Sequence, residues 1–439
     1  MLSAEKLCTD HPTITWYADM GCGTPVIDHI VENMFKIWHI LLKTKIPLQF
    51  IVNFAQYGFC DDYLPYSYKK LKRLATFLNE NFIQFFLEQQ KEYFAVKFAP
   101  MEHKILTKGQ NIPYIGIRSA GGNRSGSYGH VIKVKETVNI DESSERVYYY
   151  ARKESHGSEE SERILNREAE ILRKIPKSDY LIGLIASYSH KNRTSVILTP
   201  WCDTNLNAFF ERKEVIPVYE NMGNKERWSM ISNWLPCLAY GLTLLHDKKI
   251  RHKDIKPANI LLNIVEYGAI PVLCDFGLSK EYSLRTKGDG GTQYYESPER
   301  LQGYSVGRSG DIFALGCVFL EIANFINGSR KKLKKLMHKR GFAEMFLKES
   351  SAQRCIDMLP SHNAWWVGFI KIIKDMLNIT QSERPRARLL LSQICQLQKN
   401  AGLEIPFPCI SWEICSSSGE SDENNSDYDN DESDEERLY

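Results

Sequence analysis

Apolar positions outline much of the secondary structure before any chemistry is considered. Between Thr24-Pro25, which reads as a helix start, and Pro47, the residues Ile27, Ile30, Val31, Met34, Trp38, Leu41 and Leu42 recur at helical spacing. Leu71, Leu74, Ala75, Leu78, Phe82, Phe85 and Phe86 repeat that spacing, and both stripes predict helical faces for a core or for docking a partner. Residues 1–110 carry no recognisable chemistry. Further on, residues 147–153 (V-Y-Y-Y-A-R-K) and 194–199 read as strands, whereas N-R-E-A-E-I-L around Glu168 reads as a helix. In that helix Ile171 and Leu172 fall into register when Glu168 faces inward; Glu170 is the alternative. Residues 228–245 predict an apolar helix. The longest apolar run, 312–326, is broken only by Glu321 and is short for a bilayer, so it predicts a buried helix and no membrane span.

Composition narrows the class. Charged residues at 25% and hydrophobic ones at 43% are those of an ordinary soluble protein. Glu5, Lys6, Asp10, His11 and Asp19 interrupt the first 28 residues, which rules out a secretory leader there and leads us to expect a cytoplasmic or nuclear protein. Eleven cysteines without one C-x-x-C pair point to reduced, mostly buried thiols and not to zinc. The net charge of +2 conceals an asymmetry: residues 419–439 hold ten acids and one arginine, a charge of −9, which leaves +11 on the rest. Such a block repels itself and has almost nothing to bury, so a disordered acidic tail is expected over 406–439. The mildly basic body does not suffice for nucleic-acid binding. One basic stretch, Arg330-Lys331-Lys332-Leu333-Lys334-Lys335, reads as a solvated helical face or, more sharply, as a dock for acidic substrates or for the tail itself.

The candidate chemistry sits at Ile250–Leu262, I-R-H-K-D-I-K-P-A-N-I-L-L, a polar loop between apolar segments. Asp254 is placed to accept the proton of an attacking hydroxyl, Lys256 to offset charge on a transferring phosphoryl group, and Asn259 to offer an oxygen to a metal. V-L-C-D-F-G follows, with Asp275 as a second hard oxygen ligand suited to Mg²⁺. Upstream, G-S-Y-G-H-V supplies Gly126, Gly129 and Val131, glycines of the kind that let backbone N–H groups approach phosphates.

In this order the motifs closely resemble those of eukaryotic serine/threonine protein kinases, over roughly residues 114–398, and the wording R-H-K-D-I-K-P-A-N-I-L behind a helical N-terminal extension is similar to poorly classified kinases of filamentous fungi. The resemblance implies an α+β bilobal fold, with a small β-rich lobe at 111–199 and a large helical lobe at 203–405. A helical extension at 1–110, a possible protein-partner region, would precede it. It implies transfer of the γ-phosphoryl group of ATP to protein hydroxyls with Mg²⁺. Lys153, at the end of A-R-K, would orient the α- and β-phosphates and be held by Glu168. Asn259 and Asp275 would hold the metal, and Asp254 and Lys256 would act on the hydroxyl and the transferring group. Gly126, Gly129, Val131, Ala151, Thr199, Trp201, Cys202 and Leu261 would surround the nucleotide, with Thr199 as gatekeeper of a hinge in which Pro200 lacks an N–H.

Gly291-Thr292-x-x-Tyr295-x-x-Pro298-Glu299 resembles the end of an activation segment, in which Thr292 would bond to Asp254 and Lys256. Ser283 and Thr286 are its candidate phosphosites. Asp311 would hold the catalytic-loop backbone, and Arg384 would pair with Glu299. Two departures stand out: Arg124 takes the place of the first loop glycine, and Lys253 that of the arginine before the catalytic aspartate, a point charge instead of a fork. Lysine two residues after Asp254 resembles the serine/threonine class and not the tyrosine class. A nucleotide-binding pseudokinase scaffold and a small-molecule phosphotransferase are the competing classes. The presence of Lys153, Asp254, Asn259 and Asp275 counts against the first, and the peptide-docking segment against the second.

Overall fold

The computed structural model describes residues 24–43, 49–74, 78–93, 95–107, 110–117, 124–126, 129–136, 148–212, 216–266, 268–276, 292–304, 306–337 and 341–403. The chain forms two compact units. One comprises residues 1–99, 106–117 and 134–148; the other comprises 100–105, 118–133 and 149–439.

In the first unit the apolar stripes become five helices: α1 (Thr24–Asn33), α2 (Phe35–Lys43), α3 (Gln49–Gln56), α4 (Tyr68–Leu74) and α5 (Glu80–Tyr93). Their inner faces bury Ile30, Met34, Trp38, Leu41, Phe54, Leu71 and Phe86 in one core. The first stripe is interrupted at Met34, and α2 restarts under a cap from 24 residues away: the Asp61 carboxylate accepts the N–H groups of Lys36 and Ile37 at 2.8 and 3.0 Å. The second stripe is not one continuous helix. Asn79 caps α5 by accepting the Phe82 N–H at 2.8 Å. The offset between α4 and α5 leaves Phe85 39% exposed, so that residue is not a core position.

The second unit has the two lobes of the kinase fold. Its sheet is built from most of β1 (His103–Leu106) and β4 (Gly129–Glu136) together with β3 (Arg124–Gly126), β5 (Tyr149–Ser155), β6 (Gly183–His190) and β7 (Arg193–Thr199), in the order β1-β6-β7-β5-β4, with β3 on β4. Strand β2 (Tyr114–Gly116) pairs antiparallel with the far end of β4, Tyr114 opposite Glu136, within the first unit. Helix α6 (Glu159–Lys174) carries the signals of a well-terminated helix: Ser158 accepts the Ser161 N–H, acids fill the first turn, and Arg173 and Lys174 close the last. Leu165, Glu168, Ala169 and Leu172 form its buried stripe.

After Thr199 a cis peptide leads to Pro200 and the helical lobe. There follow β8 (Thr204–Asn205), α7 (Leu206–Phe210), α8 (Pro217–Asn221), α9 (Asn224–Asp247), β9 (Ile260–Val265), β10 (Gly268–Leu273), α10 (Pro298–Leu301), α11 (Arg308–Ile326), α12 (Arg330–Met337), α13 (Gly341–Phe346), α14 (Glu349–Asp357), α15 (Ala364–Met376) and α16 (Ala387–Asn400). The run at 312–326 is the body of α11. Among the described residues α11 alone is long and apolar enough to cross a membrane, yet 78% of its apolar window lies inside this lobe. It is the axis of the core, with Phe313, Leu315, Val318, Phe319 and Ile322 fully enclosed.

The basic stretch is not simply a solvated face. Arg330 is buried, its guanidinium donating to Glu321 and Glu211 and lying 4.4 Å over Phe210. Leu333 is buried too, which leaves the intervening lysines outward. The acidic segment 406–439 lies outside the described residues.

Candidate active site

Strand β5 pairs antiparallel with β7, Lys153 opposite Val196, which fixes the Lys153 backbone in the sheet. Its ammonium reaches the carboxylate of Glu168 on α6 at 2.7 Å and that of Asp275, just after β10, at 3.0 Å. Glu168 points into the core at 1% exposure, while Glu170 faces solvent. Burial opposes the charge on Lys153, but Asp275 and Glu168 more than offset it and hold the ammonium protonated well above its ordinary range. Lys153 in turn holds the Asp275 carboxyl below the usual carboxylate range, whereas burial pushes Glu168 up.

The loop between α9 and β9 is a second constellation. Asp254 is buried, and its Oδ2 accepts from the Lys256 ammonium at 2.8 Å and from Asn259 Nδ2 at 2.7 Å. Asn259 Nδ2 also donates to the Asp254 backbone carbonyl at 2.9 Å, so the Asn259 amide is oriented nitrogen-inward and its oxygen has no partner among the described residues. Burial raises the Asp254 carboxyl, a shift that Lys256 opposes. The Cys274 N–H donates to the Asn259 carbonyl at 3.0 Å, which ties this loop to the residue preceding Asp275.

The loop is shaped from below by Asp311, in the first turn of α11. Its two oxygens accept the backbone N–H groups of His252 and Lys253, both at 2.8 Å, and Nε2 of His246 lies 3.0 Å from Oδ2. Lys253 sits at φ +66, a left-handed conformation that costs a non-glycine residue on the order of 1 kcal/mol and needs such a clamp. Burial, reinforced by the charges of Arg251, Arg167 and Arg300, lowers the Lys253 ammonium to about 8. Below this floor, Arg384 forks onto Glu299 with two bonds of 2.7 and 2.8 Å.

Of the residues expected around a nucleotide, Ala151 is part of the main core, and Val131, Trp201 and Leu261 pack against it half-buried. Thr199 stands opposite Gly183 at the end of β7, and Cys202 is buried. Gly126 and Gly129 are paired between β3 and β4. Glycine at 129 also has a packing reason: a Cβ there would stand 2.4 Å from the Glu154 carbonyl oxygen on β5. Ser283 and Thr286 lie outside the described residues. Thr292 opens the turn Thr292–Tyr295, but its side chain, for which the resemblance implies bonds to Asp254 and Lys256, lies outside the described side chains.

Sequence reasoning gave no role to His246, His252 or Glu321. His252 packs on Phe276 with ring centroids 5.0 Å apart, and burial keeps its imidazole neutral-leaning. Glu321 looked like an interruption of an apolar run. It accepts a hydrogen bond from the Tyr295 hydroxyl and binds Arg330, so a carboxylate inside that run was itself the available signal.

Comparison with known proteins agrees with this geometry. A MAP kinase kinase of Saccharomyces cerevisiae is 27% identical over 324 residues, 70% of this chain and 56% of that protein. A mitogen-activated protein kinase kinase of Aspergillus fumigatus is 49% identical over 87 residues, 19% of this chain and 16% of that protein. The eukaryotic translation initiation factor 2-alpha kinase 1 of Plasmodium falciparum is 30% identical over 174 residues, 36% of this chain and 11% of that protein. The chain thus matches little more than half the length of the first of these relatives and much less of the others. The protein kinase domain matches residues 124–395, which exceeds half of the chain and takes in both constellations: the chain belongs to the protein kinase family.

Proposed function

We propose that this protein kinase phosphorylates serine and threonine hydroxyls of proteins, using ATP and Mg²⁺. The observation that carries the reading is the Lys153 ammonium shared between Glu168 and Asp275. The donors fit a magnesium–nucleotide complex. Asp275 and the free amide oxygen of Asn259 are hard oxygen ligands, and no group of three or more His, Cys, Asp or Glu gathers among the described residues. A cation held by one carboxylate, one amide and phosphate oxygens is what Mg²⁺ prefers. Bound there, the metal would supply charge neutralisation at the phosphates.

The chain's own groups do the rest. Lys153, kept charged by its two carboxylates, binds the α- and β-phosphates. Asp254, anchored through Oδ2, orients the substrate hydroxyl and takes its proton at Oδ1, which has no partner among the described residues. Lys256 offsets charge on the transferring group. Catalysis is then mostly positioning and preorganised charge. Lys256 two residues after Asp254 supports the serine/threonine class. The MAP kinase kinase relatives are named for acting on another protein kinase, which makes a kinase a reasonable first substrate to try.

The test is incubation of the full chain with labelled ATP, Mg²⁺ and a generic protein substrate, followed by phosphoamino-acid analysis. Labelled serine or threonine that disappears in Asp275→Ala is expected. Phosphotyrosine as a main product would overturn the specificity, and label that persists in Asp275→Ala would overturn the site.

A further inference from the structure

Helix α12 presents a fixed row of lysines beside the segment that resembles a substrate dock. Arg330, Leu333 and Met337 are its buried side, and Arg330 is locked by Glu321, Glu211 and the Phe210 ring. That lock sets the rotation of the helix, so Lys331, Lys332 and Lys335 stand exposed, with no carboxylate partner among the described residues. Lys334 alone is neutralised, by Glu211. The same Glu321 that binds Arg330 accepts the hydroxyl of Tyr295, and Tyr295 packs on Phe342 of the adjoining α13 with ring centroids 5.6 Å apart. Tyr295 and the helix that carries the lysines are therefore joined through one carboxylate.

We propose that this face is occupied by the chain's own acidic segment, residues 420–436, which shields the neighbouring 292–299 segment from substrates. Charge complementarity argues for it: ten acids concentrate there, and the remainder of the chain carries the balancing positive charge. The tether is long as well: Leu403 is held where its N–H meets the Gln398 carbonyl, and the residues from there to Glu420 span up to about 60 Å extended. Tethering supplies an effective concentration on the order of millimolar, which favours this segment over a separate acidic protein of equal affinity. The buried Arg330 fixes the helix that carries the lysines, so their backbone needs no reordering on binding.

Zero-length carbodiimide crosslinking of the full chain at low concentration tests the contact independently of any kinase activity. The expected products are intramolecular links from Lys331, Lys332 or Lys335 to acids within 420–436, lost at about 1 M salt, where the screening length is ~3 Å. In the K331E/K332E/K335E variant these links vanish. Phosphorylation of an uncharged peptide then rises by the same factor as on truncation after Ser418, with no further rise when the two changes are combined. That second readout rests on the kinase reading; the crosslinks do not. Links spread over lysines of both lobes, or formed only between molecules, would overturn the proposal. So would a triple variant that loses only the phosphorylation of acidic substrates, which would assign the face to substrate.

Discussion

Two buried ion clusters in the same unit are built in opposite ways. At Arg384 one guanidinium forks onto one carboxylate with both bonds near ideal length, and the arginine side chain is fully enclosed. At Lys153 one compact ammonium is divided between two carboxylates from different elements, and Asp275 keeps 37% of its side chain exposed. The first is closed: every charge is matched and nothing more can bind. The second carries one more negative charge than positive, and its excess faces solvent, so it is complete only when another cation arrives. A planar fork suits a permanent joint, whereas a point charge on a flexible stem suits a group that exchanges partners.

Substitutions at the two centres should therefore separate stability from turnover. Lys153→Met is expected to lower turnover by about a thousandfold, roughly 4 kcal/mol of barrier, while thermal unfolding shifts less than in Arg384→Ala. Relief is available at the Lys153 centre because Glu168, already pushed up by burial, takes a proton when Lys153 is gone. Arg384→Ala leaves the Glu299 carboxylate buried and alone and should cost about 3–5 kcal/mol in denaturant unfolding. Arg384→Lys would recover only part of it. If the two variants unfold alike, the contrast between joint and exchange site fails.

The pH responses should differ as well. Burial opposes the charge on Glu299 and Asp311, but Arg384 and His246 with the loop amides hold both below the ordinary carboxylate range. Their contribution is thus complete above the unfolded value of about 4 and is lost as pH falls through the lower folded values. Melting curves between pH 6 and 3 should decline less steeply for Glu299→Gln than for the parent. At the catalytic centre the sign reverses. Asp254 is raised by burial, so the acid limb of the pH–rate profile should lie above the range of an unperturbed aspartate, and a limb at or below that range would contradict the buried setting. The smallest effect is expected at Arg388, whose pair with Asp247 is half exposed: Arg388→Ala should change stability by less than about 1 kcal/mol.

The residues that the structure brings together at Lys153 and Asp254 were legible because most sit at fixed offsets in short motifs, Glu168 alone needing the register of its helix to be told from Glu170. Lys153, Glu168, Asp254, Asn259 and Asp275 all meet their neighbours through such motifs. The α5 start was legible in principle, since Asn79 is a cap residue in the middle of an apolar stripe, but hydrophobic spacing outweighed it. What could not be read were partners supplied from afar. Asp61 caps α2, and Glu211 reaches Arg330 across 119 residues of sequence. Arg330, in a run of lysines, carries no local mark of being buried.

A single carboxylate at Asp311 seizes two consecutive amides of the catalytic loop. The loop thereby borrows its stiffness from a deeply enclosed helix and needs little of its own. A compound that pried the first turn of α11 away by an ångström would leave Asp254 and Asn259 chemically intact yet misaimed, acting from beneath without touching either side chain.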